Sequence, residues 1–245
     1  MKSMVYHNEY NQMEKNTVSA AGQLKDTLRV KFDRPEAGGT KVMFVGNSIT
    51  LHGVKEDIGW FNAWGMAASK KENDYVHILK RAVLSKDDEA SFCICQVADW
   101  ERQYNNGNSV LYMYQAAKEY QADIIILRFI ENCPKDGFDA EVFKRELAIL
   151  VNYLKTNTNA NVIVTTGFWN HPGNPTLREY AKKNNYPCVE LGDLGENDEM
   201  KAIGLFWHEG VANHPGDLGM KTMAERIEKE LVGLVKEKHA NNDKA

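Results

Sequence analysis

Short apolar runs that alternate with helix-period segments constrain the fold of this chain more than any other feature. Five such runs lack the polar alternation of a strand with one face in water. They are KVMFV (41–45), FCICQV (92–97), DIIILRF (123–129), NVIVTT (161–166) and the weaker YPCVEL (186–191). Runs of this kind are typical of strands that are covered on both faces, as in a parallel sheet.

The segments between these runs have the spacing of amphipathic helices. Apolar residues recur every three or four positions in two clear cases: Phe143, Leu147, Leu150, Val151 and Leu154, and then Met220, Met223, Ile227, Leu231 and Val235. This spacing places the apolar side chains along one stripe of a helix. Strands and helices in alternation predict an open α/β sheet with right-handed crossovers. We therefore expect five parallel strands in a three-layer α/β/α sandwich.

The chain ahead of the first run has a different character. Residues 1–26 are polar and weakly periodic, whereas TLRVKFD alternates apolar and polar residues from Thr27 onward. Alternation of that kind predicts a half-buried strand. We accordingly divide the chain into an N-terminal extension with a short strand (1–40), a main domain (41–238) and a polar tail (239–245), and we expect the last ten residues to fray.

Charge and hydropathy exclude several classes of function. The formal net charge of −4 gives no basic field for holding nucleic acid. No stretch approaches the ~20 apolar residues of a membrane span. The first residues, MKSMVYHNEYNQMEKN, lack the apolar centre of a secretory signal. These features predict a cytoplasmic protein that binds neither membrane nor nucleic acid.

The loop after the first run contains a serine in a position that suits chemistry. In open α/β sheets, ligands bind outside the carboxyl ends of the strands. Gly46-Asn47-Ser48-Ile49 leaves the first run there, and the glycine permits a tight turn. A serine hydroxyl is a weak nucleophile unless a base removes its proton. By itself, Ser48 is also explained as a helix N-cap.

Two later loops carry groups that complement a serine nucleophile. Asn132 follows the third run, where a neutral amide can donate to an oxygen that gains charge in a transition state. It is equally typical of a turn that binds its own backbone. His214 precedes the last helical segment, and histidine is the usual general base because its ordinary pKa of ~6.5 lies near working pH.

Together, these three segments resemble the conserved blocks of the SGNH, or GDSL-like, hydrolase family over about residues 41–236. Gly46-Asn47-Ser48-Ile49 resembles the first block, Asn132 the asparagine of the third and His214 the histidine of the fifth. The resemblance implies a flavodoxin-like sandwich that hydrolyses esters, often acetyl or other acyl groups on carbohydrates. It makes Ser48 the nucleophile, with its own N–H and the Asn132 amide in the oxyanion hole, and His214 the base. It implies no cofactor.

The chain departs from the family pattern in three places. Ile130 stands where the third block has glycine, and Val211 stands where the family has an aspartate three residues before the histidine. Either Glu209 or a backbone carbonyl then orients His214. The glycine of the second block also has no counterpart near the second run, so the N–H of Ala98 or Asp99 is a candidate donor in its place.

Large rings and polar groups beyond the strand ends are predicted substrate contacts. The predicted contacts are Asn47, His52, Trp100 and Trp169. No HxH, HxxxH, HExxH or CxxC spacing occurs, so we predict no metal. The predicted function is a serine esterase acting on a small-molecule or saccharide ester. Two alternatives are a noncatalytic carbohydrate-binding relative and a lipid-directed esterase or lysophospholipase. The sequence leaves the oligomeric state open.

Overall fold

The computed structural model describes residues 19–242, with side chains described through residue 235. The strands are β1 Val30–Asp33, β2 Lys41–Gly46, β3 Ser91–Gln96, β4 Ile124–Arg128, β5 Asn161–Thr165 and β6 Cys188–Val189. The α-helices are α1 Tyr75–Leu84, α2 Ala98–Arg102, α3 Gln115–Tyr120, α4 Ala140–Leu154, α5 Asn174–Lys183, α6 Glu209–Ala212 and α7 Asp217–Asn242. Short 3-10 helices cover Ala21–Gln23, Glu56–Ile58, Lys71–Asn73, Tyr104–Tyr114, Leu194–Glu196 and Asp198–Met200.

The strands form one sheet in the order β1-β3-β2-β4-β5-β6. All five predicted apolar runs are parallel strands of this sheet. The alternating segment before them is the sixth strand, β1, which pairs antiparallel with β3 at the edge. A half-buried strand suits an edge, where one side of the strand has no neighbour. The sheet therefore has six strands, the five expected parallel strands and β1.

Helices cover both faces of the sheet, which confirms the predicted three-layer sandwich. Side chains of α3, α4 and α5 pack with Met43 and Val45 on one face. Side chains of α1 and α7 pack with Val42 and Phe44 on the other. Consecutive residues of β2 therefore enter opposite cores, which explains why this run lacks polar alternation.

The ends of the chain are only partly described. Residues 1–18 and 243–245, which include the first part of the predicted N-terminal extension and the end of the predicted tail, lie outside the described residues. The backbone of α7 is helical through Asn242. Within residues 19–242, no helix combines the length and the apolar character needed to cross a bilayer.

The register of the central strands brings three loops together. Gly46, the last residue of β2, pairs with Gln96 of β3 and with Arg128 of β4. The loops that follow these strands therefore leave the same edge side by side. Gly46 itself has no room for a side chain, because a Cβ there would lie 2.7 Å from the carbonyl oxygen of Arg128 and closer still to Thr50. The glycine thus allows the first loop to lie tightly over β4.

Candidate active site

A serine from the start of the main domain's sequence and a histidine from near its end meet at this edge of the sheet. Ser48 lies in a turn just after β2, where the N–H groups of Thr50 and Leu51 both donate to the carbonyl of Asn47. His214 lies between α6 and α7. The Ser48 Oγ and the His214 Nε2 are 2.8 Å apart, which is hydrogen-bond distance. The first and last predicted loops therefore form one site.

The second ring nitrogen of His214 fixes which tautomer is present. Its Nδ1 lies 2.6 Å from the carbonyl oxygen of Gly210. A carbonyl only accepts hydrogen bonds, so Nδ1 carries the proton and Nε2 is free to accept from the Ser48 hydroxyl. Of the two groups considered for orienting His214, the partner in the structure is thus a backbone carbonyl. The exposed Glu209 side chain does not occupy that place, because the short helix α6 directs the next carbonyl at the ring.

The surroundings of His214 favour its neutral form. Desolvation of the ring lowers its pKa to about 4, although the Gly210 carbonyl and the charge of Glu131 oppose the shift. The Trp169 ring and the imidazole form a T-shaped pair with 5.7 Å between ring centroids. At neutral pH the ring is therefore an unprotonated base in contact with a hydroxyl, the arrangement that general-base catalysis requires.

Asn132 and the backbone of Ser48 both offer N–H groups at the same edge. The Asn132 Nδ2 donates to Glu101 Oε2 at 2.8 Å, and its Oδ1 faces Arg102. One of the two amide hydrogens is thereby used and the other is free. No hydrogen bond among the described residues uses the backbone N–H of Ser48. Of the two candidate donors in the second loop, Ala98 donates to Gln96 Oε1 and is engaged.

A buried charged network lies beneath this site, and sequence analysis missed it. Arg128 pairs with Glu131 and also donates to Asn47 Oδ1 at 3.1 Å. The Asn47 Nδ2 donates to Glu131 at 2.5 Å and to Glu101 at 3.0 Å. The one available signal was Arg128 itself, a charged residue inside an otherwise apolar strand, since such a residue needs a buried partner.

The two carboxylates of the network have opposite pKa shifts. Desolvation and the neighbouring charge of Glu131 raise the pKa of Glu101. Desolvation also acts on Glu131, but the charge and hydrogen bonds of Arg128 outweigh it and lower the pKa. Glu131 is therefore the ionised partner of Arg128.

Ile130, at the glycine position of the third block, has a backbone conformation that favours glycine. Its φ is +141°, and its side chain is fully buried. A β-branched residue at such an angle is strained. The hydrogen bond from its N–H to Glu101 Oε1, at 2.7 Å, holds this conformation. The backbone geometry typical of glycine is thus present without the glycine.

The structure contradicts two of the predicted substrate contacts. Asn47 is fully buried, and all its polar atoms bind protein groups. Trp100 is 1% exposed because α2 turns its indole inward against Phe129 and Phe143. Neither side chain is able to face a ligand. His52 and Trp169 are half-buried at the site edge and remain candidates.

A cavity of about 680 Å³ lies beside the site, at the β1 edge of the sheet. It is lined by parts of β1, β3, α1 and the segment that follows Ser48, including His52 and Trp64. Neither Ser48 nor His214 lines it. His52 belongs to the cavity wall and lies near enough to His214 for its charge to affect the pKa of that ring. His52 is therefore a predicted substrate contact that lines the cavity.

The histidines do not form a metal-binding group in the described part of the chain. There, no three His, Cys, Asp or Glu side chains are arranged to hold an ion. His171 is buried, with its two ring nitrogens bonded to the Cys133 carbonyl and the Gly173 N–H.

Comparisons with known proteins reveal relatives in structure only. No protein-family model and no curated protein matches the sequence. A solved two-domain esterase active on acetylated mannans, co-crystallised with mannopentaose, has a TM-score of 0.55 at 17% identity. The match covers 80% of this chain and 50% of that one, so this chain spans about half the length of that esterase.

Two further structures match over the same domain. A family two carbohydrate esterase from Cellvibrio japonicus has a TM-score of 0.51 at 15% identity, with 80% of this chain and 62% of that chain covered. A family 3 carbohydrate esterase from Talaromyces cellulolyticus has a TM-score of 0.52 at 15% identity, with 81% and 99% covered. The chain therefore has the fold of these carbohydrate esterases, as its resemblance to the SGNH hydrolases implied.

Proposed function

We propose that the protein is a serine esterase that removes acyl groups, above all acetyl groups, from a saccharide. The observation that carries the proposal is the hydrogen bond between Ser48 Oγ and the unprotonated Nε2 of His214. A serine that served only as a helix cap would not need a neutral imidazole held in this tautomer. The esterases that share the fold support the acyl-transfer chemistry.

The reaction follows from the hydrogen bonds of the site. The His214 Nε2 takes the hydroxyl proton as Ser48 Oγ attacks the acyl carbon, and the Gly210 carbonyl steadies the imidazolium through Nδ1–H. The oxyanion accepts from the Ser48 N–H and from the free amide hydrogen of Asn132. His214 then passes its proton to the leaving alcohol. The same ring deprotonates a water that attacks the acyl carbon, the bond to Ser48 Oγ breaks to release the acid, and the proton returns from His214 to Oγ.

An exposed aromatic ring in the segment ahead of His214 supports a saccharide as the leaving group. Trp207 is 75% exposed, and its indole is held against Gly59, where a Cβ would come within 2.4 Å of Nε1. It also packs edge-on with His208, just ahead of α6. A fixed, exposed indole suits stacking on a sugar ring, which has an apolar face and polar edges. His52 extends the proposed contact surface toward the cavity.

One observation favours a lipid-directed esterase as a second candidate. Ile203, Leu205 and Trp207 are all at least 49% exposed within five residues. Exposed apolar side chains in this number are also found where proteins touch lipid.

Hydrolysis assays with two sets of esters test the proposal. The wild-type protein is expected to release acetate from acetylated oligosaccharides, to prefer p-nitrophenyl acetate over the palmitate ester, and to lose both activities in Ser48→Ala. Ser69→Ala, at an exposed serine outside the site, is the matched control and is expected to stay active. A preference for long acyl chains would favour the lipid-directed candidate. Undiminished activity of Ser48→Ala would reject the serine mechanism.

A further inference from the structure

The side chain of Glu101 connects the three loops that follow β2, β3 and β4. It is fully buried in α2 and accepts four hydrogen bonds. The donors are the Ile130 N–H at 2.7 Å, the Asn132 N–H at 3.3 Å, the Asn132 Nδ2 at 2.8 Å and the Asn47 Nδ2 at 3.0 Å. One carboxylate thus contacts both Asn47, which precedes the nucleophile, and Asn132, the proposed oxyanion donor.

Ordinary packing does not explain this carboxylate. Burying a charged group is costly unless it is paired and hydrogen-bonded. The neighbouring Arg128 pairs with Glu131, and within the described residues no ion pair includes Glu101. All of its direct partners are N–H groups, and three of the four belong to the segment 130–132. The carboxylate is therefore placed to order that segment.

The two oxygens of Glu101 have different tasks. Oε1 receives the bonds from Asn47, from Ile130 and from the Asn132 backbone. Oε2 receives only the bond from the Asn132 Nδ2. In the structure both oxygens of Glu101 are acceptors, and an accepting Oε2 selects the amide orientation in which Asn132 presents nitrogen rather than oxygen. The second hydrogen on that nitrogen is then left for a ligand.

We infer that Glu101 is a positioning residue that sets the amide of Asn132 as the oxyanion donor. Glu101 does not touch the substrate and moves no proton. It acts through Asn132, by excluding the flipped amide that would present an oxygen lone pair to the oxyanion. The inference rests on the proposed esterase function, because it assigns a role within that reaction.

Glu101→Gln is the perturbation that isolates this role. The glutamine oxygen is expected to stay where three donors converge, so its NH₂ group replaces Oε2 and faces the Asn132 amide. Two amide donors then oppose each other, and Asn132 relieves the conflict by rotating its oxygen toward Gln. The donor to the oxyanion is lost although the side-chain volume is kept.

A double-mutant cycle measures the coupling. We expect Glu101→Gln to lower kcat for p-nitrophenyl acetate by roughly 10²-fold with little change in KM, since loss of an oxyanion donor costs ~10²–10³ in kcat. In an Asn132→Ala background, the same change is expected to lower kcat by less than about threefold, because the donor is already gone. Glu146→Gln, at a buried carboxylate on α4, is the control and is expected to leave kcat unchanged. Equal losses in both backgrounds, or no loss in either, would overturn the inference.

A second measurement does not depend on activity. The side-chain NH₂ resonances of Asn132, identified by their absence from Asn132→Ala, are expected to shift in Glu101→Gln and to stay in place in Glu146→Gln. Unchanged resonances in a folded Glu101→Gln protein would overturn the role of Glu101. An inactive wild-type protein would instead reject the proposed function and leave this spectroscopic result to decide the positioning.

Discussion

Because the backbone of Ile130 is strained, we expect a glycine variant to be more stable than an alanine variant at this position, the reverse of the usual order. In most elements glycine is less stable than alanine by ~0.5–1 kcal/mol, because its unfolded chain has more freedom to lose. At a φ of +141° a residue with a Cβ is expected to cost ~1–3 kcal/mol of strain. We therefore expect Ile130→Gly to be more stable than Ile130→Ala by ~0.5–2 kcal/mol.

The comparison cancels the larger effect of losing the side chain. Both variants remove the buried isoleucine and its contacts with Gly167 and Gly173, so both are expected to be less stable than the wild type by several kcal/mol, at ~2–5 kcal/mol for such a truncation. Their difference isolates the backbone. Urea denaturation followed by circular dichroism gives the free energy of unfolding of each variant.

Ile126 provides the matched control. It is fully buried in the middle of β4, four residues earlier, and its φ is not positive. There, the glycine variant is expected to be less stable than the alanine variant by ~0.5–1 kcal/mol. An alanine variant that equals or exceeds the glycine variant at position 130 would refute the strain argument.

Four further predictions concern the site and its support. Because the pKa of His214 is lowered to about 4, its base form persists in acid, so kcat/KM is expected to stay level from pH 8 to 5 and to fall below about pH 4; a midpoint near 6.5 would contradict this. Glu209→Gln is expected to keep kcat/KM within about threefold, since the Gly210 carbonyl orients the ring, whereas loss of an orienting carboxylate costs ~10⁴. Trp207→Ala is expected to raise KM for an acetylated oligosaccharide by ~3–10-fold and to leave p-nitrophenyl acetate unaffected, in line with a stacking contribution of ~0.5–1.5 kcal/mol; equal effects on both esters would exclude stacking. Arg128→Met leaves Glu131 buried without its cation and is expected to cost ~3–5 kcal/mol in urea denaturation, with much of that recovered by adding Glu131→Leu; a loss under 1 kcal/mol would show the pair to be dispensable.

The fold was predictable because its determinants are local. A strand buried on both faces must be apolar at every position, and a helix on a sheet must repeat every three or four residues, so both patterns are visible in single segments. The antiparallel pairing of β1 was not visible, because the alternation of TLRVKFD specifies a half-buried strand but not its neighbour.

The positions of the main site residues were predictable for a similar reason. Strand-end loops of a parallel sheet gather at one edge, so Ser48 and His214 were expected to lie near each other despite their separation in sequence. What escaped prediction depends on long-range geometry. The direction of the Trp100 indole is set by α2, and the acceptor for His214 is set by the turn of α6.

The buried network was the largest omission. Glu101 and Glu131 look like ordinary surface carboxylates in their sequence contexts. Only the tertiary fold shows that both accept hydrogen bonds from the Asn47 amide. Arg128 carried a signal within its own strand, but the sequence did not specify which carboxylate would pair with it.

The reactivity of Ser48 toward a fluorophosphonate tests the central claim most directly. Mass spectrometry of the intact protein and of its peptides gives both the extent and the site of labelling. We expect one adduct per chain, on Ser48, and labelling that is ~10²–10⁴-fold slower in His214→Ala, the range by which a general base accelerates such a step. A folded wild-type protein that stays unlabelled at Ser48, or that reacts at the same rate without His214, would contradict the account.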